Sequence, residues 1–173
     1  WLEMRRLTPQ DQEIMQSGSL KTIRHAEANA THLRQWLAER VSLHVIDNFD
    51  DAHKLAAELV GCKRLALDIE TAKIDPEHPQ SGLNPKLSRI RLIQYCNGTD
   101  CYLFDQFKID SLDWINPLLD IETVAHNALF EASHFLHQGI IFNNLHDTML
   151  MGRVFFDENR ALKGLAEEAL GLE

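Results

Sequence analysis

The sequence predicts an α/β domain in which helices flank a mixed β-sheet. In the middle of the chain three strand patterns follow one another, and the Asn97-Gly98 dipeptide between the last two is a strong hairpin signal. Farther along the chain, helical and strand patterns alternate. A three-strand meander followed by alternating helices and strands is typical of a mixed sheet with helices packed on it.

The first half of this domain begins near Leu43 with a short apolar run typical of a strand. Residues 47–50 supply capping side chains for a helix. Apolar and polar residues then alternate over 64–71 in a strong strand pattern. In chain order, the predicted elements are a strand over 43–46, a helix over 52–60, a strand over 64–71, a polar loop over 73–86 rich in Pro and Gly, and strands over 88–96 and 100–104.

The elements in the second half of the domain are predicted from residues that typically cap the ends of helices. Gly139 is a natural helix C-cap, and Asp147 precedes an apolar run as an N-cap does. We interpret Asp147 as a cap and not as a metal ligand. The predicted elements are a helix over 112–119, a strand over 123–126, a helix over 130–138, a strand over 140–142, and helices over 147–156 and 162–170.

Residues 1–42 are predicted to form a helical N-terminal extension, and residues 43–173 the main domain. Apolar residues recur at three- and four-residue spacing over 9–40, and Ser17-Gly18-Ser19 divides that stretch into two pieces. Because the first residue is Trp1 and not Met, we expect the chain to be a fragment.

Composition and charge exclude several classes of protein. No apolar run approaches the roughly 20 residues of a membrane-spanning helix. The chain has three cysteines, too few for a disulfide framework, so we expect reduced thiols in a cytoplasmic protein, with Cys96 and Cys101 opposite each other on a hairpin. The net charge of −9 argues against a tight, sequence-independent grip on nucleic acid. It leaves open an enzyme that holds one strand end through metal ions.

The clearest candidate for chemistry is the acidic pair Asp68 and Glu70. Side chains alternate along a strand, so these two carboxylates point to the same face, about 7 Å apart along the backbone. They repel each other unless a cation neutralises them, and Mg²⁺ or Mn²⁺ prefers such oxygen ligands. The alternative is a strand with a solvated polar face.

A second candidate cluster spans residues 126–131 at a predicted strand-to-helix junction. Asn127, Glu131, His134 and Gln138 follow at helical spacing and can share one stripe. Ala132, Phe135 and Leu136 are expected to face the sheet. Glu131 also lies in the first turn of the helix, where the dipole favours an acidic residue whatever its function. The pattern leaves both interpretations open.

Taken together, these motifs resemble those of the DEDD exonuclease superfamily. The resemblance covers residues 43–173 and is closest to ribonuclease D-like enzymes and to the proofreading domains of family A DNA polymerases. It rests on four separated motifs in compatible order, carried by the stretches 65–71, 88–94, 124–131, 147–150 and 162–171. It implies a ribonuclease H-like fold. Asp68 and Glu70 match the first motif; Asn127 and Phe130 match the second, in which Glu131 stands where Asp is usual.

The resemblance also implies a function. It is that of a 3′-5′ exonuclease that removes nucleoside monophosphates from single-stranded 3′ ends with two Mg²⁺ or Mn²⁺ ions, DNA being favoured over RNA. The implied catalytic residues are Asp68, Glu70 and Glu131, and the implied metal ligands are the first two. The implied substrate contacts are Thr71, Asn127 and Phe130.

The family's third motif, a Tyr or His followed four positions later by Asp, does not occur before the chain stops. We therefore expect a domain incomplete at its C-terminus, weakly active or inactive as it stands, with a polymerase domain as a candidate partner in the parent chain. One alternative is a non-catalytic module that keeps the fold and binds nucleic acid or protein. An integrase-like hydrolase is a further alternative, which the motif from Asn127 to Glu131 argues against.

Overall fold

A computed structural model describes residues 41–75, 77–156 and 160–165. The strands are β1 (Ser42–Ile46), β2 (Arg64–Lys73), β3 (Ser88–Cys96), β4 (Asp100–Asp105), β5 (Glu122–Ala125) and β6 (Leu145–Asp147). The helices are α1 (Phe49–Leu59), α2 (Leu129–His137) and α3 (Thr148–Phe156), and a 3₁₀ helix spans Asp113–Leu118. Within the described residues, one sheet runs in the order β1-β4-β3-β2-β5-β6.

The sheet is mixed, as predicted. Strands β2, β3 and β4 form the antiparallel meander, and Gly98 turns the hairpin between β3 and β4 with a φ of +113° that an L side chain rarely adopts. Cys96 and Cys101 lie directly opposite each other on this hairpin, and both thiols are free. Strands β1, β5 and β6 each pair in parallel with a neighbour, which requires crossover connections such as α2 between β5 and β6.

The core lies on one face of the sheet. Leu65, Leu67 and Ile69 of β2 are buried, and the residues that alternate with them are exposed on the other face. On the core face, the Phe104 ring stacks on Trp114 with centroids 4.0 Å apart. The buried residues of α1 that complete this core are Ala52, Ala56 and Leu59. The strand pattern therefore separates an apolar face from an open polar one.

Two predicted elements are wrong in type or place. The helix predicted over 112–119 is a short 3₁₀ helix, because Pro117 has no N–H to donate to the carbonyl four residues earlier. The strand predicted over 140–142 is irregular, and the strand after α2 is instead β6. The Ile140 N–H donates to the Phe135 carbonyl at 2.9 Å, and Phe142 packs edge-on against Phe135, so this apolar run closes the end of α2.

The predicted N-terminal helices lie almost wholly outside the described residues. Of the final predicted helix, residues 162–165 are helical and the remainder lies outside the described residues. Among the helices that the structure describes, none has the length and apolar character needed to cross a membrane.

Candidate active site

Asp68 and Glu70 lie on the open face of β2, as the alternation predicted. Partial burial, and then the negative charge of Glu70, raise the pKa of the Asp68 carboxyl above its ordinary value. Across the sheet on β3, Gln94 donates from Nε2 to Asp68 Oδ2 at 3.1 Å. The site thus holds two neighbouring carboxylates, one of them oriented by an amide.

A β-bulge lies next to Glu70. Glu70 pairs with Leu92 and Thr71 with Ile90, so Arg91 has no partner on β2. Such bulges locally bend a strand and re-aim the side chains around them. The bulge sets the direction in which the strand leaves the acidic pair.

The loop between β2 and β3 is anchored beside this pair. The Thr71 hydroxyl donates to the Gly82 carbonyl at 2.7 Å. Within the loop, the fully buried Ser81 donates to the Leu87 carbonyl at 2.6 Å, and Ile74 donates to the same carbonyl from its backbone N–H. The loop is therefore tied to the strand end that carries the site.

Glu131 occupies the opposite kind of environment, in the first turn of α2. The residue is only 2% exposed, and Oε2 has no hydrogen-bond partner among the residues that the structure describes. Burial raises the pKa of this carboxyl to about 7; a hydrogen bond from its own backbone opposes the rise, and the charges of Asp68 and Asp147 add to it. These interactions show that the fold brings Glu131 close to the acidic strand.

The buried side of α2 differs in part from the prediction. It comprises Ala128, Glu131, His134 and Phe135, whereas Leu136 is 61% exposed. The prediction that Leu136 faces the sheet is wrong because, at 100° per residue, it lies on the far side of the helix from Glu131. His134 is buried with both ring nitrogens engaged, Nε2 with Ser88 Oγ at 3.0 Å and Nδ1 with the Phe130 carbonyl at 2.9 Å.

The other predicted residues of the second motif have defined positions. The Phe130 ring lies 4.5 Å from the His134 ring and packs against the core. Asn127 is exposed and has a φ of +61°, in the left-handed region. Contacts of Thr71, Asn127 and Phe130 with a substrate stay predictions.

Asp147 caps α3, as predicted, and does more than that. Its Oδ1 accepts the Met149 N–H at 2.8 Å. The same carboxylate also accepts the backbone N–H groups of Asn127 and Ala128, each at 3.0 Å. Sequence reasoning missed this second function because the partners are about 20 residues away and carry no local signal.

Asp68 and Glu70 offer the hard oxygen donors that suit Mg²⁺ or Mn²⁺. Glu131 Oε2, which has no partner in the described part of the chain, is a buried acceptor that stays unsatisfied unless a proton or a cation reaches it. In the part of the chain that the structure describes, no three His, Cys, Asp or Glu side chains form a group able to hold an ion. The acidic strand pair therefore fits a metal ion, and Glu131 does not complete a three-ligand set with it.

Comparisons with known proteins identify a family. A family model described as 3′-5′ exonuclease matches residues 43–173. No curated protein sequence matches the chain.

Three solved structures have similar folds. Escherichia coli RNase D, an exoribonuclease, has a TM-score of 0.64 at 18% identity, over 76% of this chain and 34% of that one. Trypanosoma brucei RNase D in complex with RNA U12 has a TM-score of 0.63 at 18% identity, over 77% and 48% of the two chains. The EXO domain of Aedes aegypti Nibbler has a TM-score of 0.58 at 18% identity, over 75% and 68%.

This chain thus spans about a third of the bacterial enzyme and about half of the trypanosomal one. The likeness in structure supports the α/β fold, and the family model covers more than half of the chain. The resemblance predicted from the motifs is confirmed, and the chain belongs to the 3′-5′ exonuclease family.

Proposed function

We propose that this chain acts as a divalent-metal-dependent 3′-5′ exonuclease, which removes nucleoside monophosphates from a single-stranded 3′ end. One observation carries the proposal. Two carboxylates, Asp68 and Glu70, project from the open face of a central strand, and the negative charge of Asp68 acts on the buried carboxyl of Glu131. Neighbouring acidic groups of this kind are costly in a merely structural role.

The residues of the candidate active site have different functions in this proposal. Asp68 and Glu70 would hold Mg²⁺ or Mn²⁺, and the ion, when bound, supplies positive charge to the phosphate and lowers the pKa of water. Gln94 orients Asp68 through its hydrogen bond. Glu131 provides the third carboxyl, whose pKa of about 7 lets it hold or release a proton near neutral pH.

We assign contacts with the strand end to Thr71, Asn127 and Phe130. Thr71 lies beside Glu70 at the bulge, and its anchored hydroxyl fixes the adjacent loop. Asn127 and Phe130 lie at the start of the helix that carries Glu131. A chain with a net charge of −9 is suited to hold a short strand end through metal ions and a few contacts, not a long duplex.

The test uses a 5′-labelled single strand, as DNA and as RNA of the same sequence, with Mn²⁺. The chain should shorten it stepwise but slowly from the 3′ end, and Asp68→Asn should slow this at least about a hundredfold. Asp113→Asn, which changes an exposed acidic residue on the 3₁₀ helix, is the matched control and should leave the rate unchanged.

If neither nucleic acid is shortened, or if Asp68→Asn is as active as the unchanged chain, the proposal is wrong. We expect DNA to be degraded faster, as the sequence resemblance implies. Faster degradation of RNA would assign to this chain the substrate class named for the solved RNase D structures.

A second candidate is a non-catalytic module that binds nucleic acid or protein with the same fold. It is favoured by the finding that, among the described residues, no three potential ligands form a group for one ion. Fluorescence anisotropy in EDTA distinguishes it. Metal-independent binding of the labelled strand, equal in Asp68→Asn and without shortening when Mn²⁺ is added, would support the module over the enzyme.

A further inference from the structure

Two strand-to-helix junctions lie side by side at the edge of the candidate active site. Strands β5 and β6 are parallel, and Ala125 at the end of β5 is the register partner of Asp147 at the end of β6. The chain passes from β5 into α2 and from β6 into α3. Both helices therefore begin at the same edge of the sheet, within reach of a single side chain.

The Asp147 carboxylate joins the two junctions. Oδ1 accepts the N–H groups of Met149 at 2.8 Å and Leu150 at 3.4 Å, in the first turn of α3. Oδ1 also accepts the Asn127 N–H at 3.0 Å, and Oδ2 accepts the Ala128 N–H at 3.0 Å. One carboxylate thus satisfies backbone donors at the start of two helices, whose first N–H groups have no partner within the helix.

Helix α2 lacks a capping side chain at its N-cap position. Its N-cap residue is Ala128, which makes no side-chain hydrogen bond. The preceding Asn127 has a φ of +61°, a conformation that costs free energy unless its surroundings hold it. The N–H groups of Asn127 and Ala128, which lead into α2, therefore depend on an acceptor from elsewhere in the chain, and Asp147 is that acceptor.

Glu131 lies in the first turn of this helix, three residues after Ala128. We propose that Asp147 is a positioning residue: by capping α2 from the neighbouring junction, it holds the helix turn that carries Glu131 in place near Asp68. The importance of that placement for metal binding rests on the proposed function. The claim that Asp147 caps α2 does not depend on the proposed function.

A second link keeps the junctions together when Asp147 is changed. Thr148 Oγ1 lies 2.9 Å from His126 Nδ1 and 3.2 Å from the Ala125 carbonyl. Variants at position 147 should therefore keep the two strands paired, so that a local loosening of α2 can be measured in a folded protein.

Two substitutions separate the two parts of the cap. Asp147→Ala removes all four acceptor contacts. Asp147→Ser leaves a good N-cap for α3 but is too short to reach Asn127 and Ala128 as well. The matched control is Asn48→Ala, which removes the side chain that accepts the Asp51 N–H at 2.9 Å and so uncaps α1, a helix without site residues.

The first measurement is amide hydrogen exchange in EDTA, detected by NMR. Asp147→Ala and Asp147→Ser should each raise exchange in the first turn of α2 about tenfold beyond any change in global stability. Asn48→Ala should leave those amides unchanged. Unchanged protection of α2 in both variants at Asp147 would overturn the proposal, whether or not the protein binds metal.

The second measurement is Mn²⁺ affinity, determined by electron paramagnetic resonance. Asp147→Ser should weaken binding about tenfold although its α3 cap is kept, and Asn48→Ala should not. Equal Mn²⁺ affinity in Asp147→Ser and the unchanged chain would show a purely structural cap and overturn the positioning function. If the unchanged chain binds Mn²⁺ no better than Asp68→Ala, the proposed function fails, and the exchange data alone then decide whether Asp147 holds α2.

Discussion

The two halves of the candidate active site hold their carboxylates in opposite environments. Asp68 and Glu70 stand on the open face of β2, where water and ions reach them. Glu131 is buried on α2 with one oxygen unpartnered. The comparison shows two ways of preparing an acidic site: a pair whose mutual repulsion favours a cation, and a single group whose charge is opposed by burial. We expect the first to respond to metal concentration and the second to pH.

Metal addition should give the largest effect, and it acts through the exposed half. At Mn²⁺ a hundredfold above its Kd, the free energy of unfolding should rise by about 2.7 kcal/mol, because the ion binds the folded state alone. Urea denaturation with Mn²⁺ and with EDTA measures this. Asp68→Ala should abolish the difference, whereas equal stabilisation of the variant would place the ion elsewhere.

The buried half should give the next largest effect, in EDTA. The pKa of Glu131 in the folded protein, about 7, lies above its ordinary value of 4.5. The stability that the neutral carboxyl contributes is therefore fully present below pH 4.5 and is lost as pH rises through 7. The free energy of unfolding should fall by on the order of 2 kcal/mol across this window.

Glu131→Gln keeps the shape and removes the charge. It should flatten this pH dependence and be the more stable protein at pH 8, as measured by urea denaturation at pH 5 and pH 8. Glu70→Gln, the matched change on the exposed strand, should leave the slope in place. A slope that persists in Glu131→Gln would show that another group is responsible.

The exposed half was the part of the site that the sequence predicted well. Period-two alternation on β2 assigns Asp68 and Glu70 to one face whatever lies around them, and burial of Leu65, Leu67 and Ile69 follows from the same rule. The hairpin at Gly98 was equally predictable, because the Asn97-Gly98 dipeptide is a local sequence signal for such a turn.

The buried half was predicted less well, because burial on a helix depends on what packs against it. Glu131 matched a motif, but nothing local indicates that its oxygen lacks a partner. Leu136 was expected to face the sheet but is exposed. The polar His134 is buried, and its Nε2 lies within hydrogen-bond distance of Ser88 Oγ on β3. The two functions of Asp147 likewise depend on a contact between junctions far apart in sequence.

The smallest expected effect concerns Gln94, which distinguishes the two members of the exposed pair. Its Nε2 donates to Asp68 Oδ2 at 3.1 Å. Gln94→Ala removes the group that orients this carboxylate and should weaken Mn²⁺ binding about tenfold, a change of about 1.4 kcal/mol. Isothermal titration with Mn²⁺ measures the change.

Gln138→Ala, an exposed glutamine at the end of α2, is the control for Gln94→Ala and should bind Mn²⁺ as the unchanged chain does. Because the side chain of Gln94 lies on the open face, its removal leaves no cavity, so thermal stability in EDTA should hardly change. Full Mn²⁺ affinity in Gln94→Ala would mean that Asp68 keeps its orientation without the amide. The exposed half would then depend on the strand and its bulge alone, whereas the buried half depends on caps and helix packing.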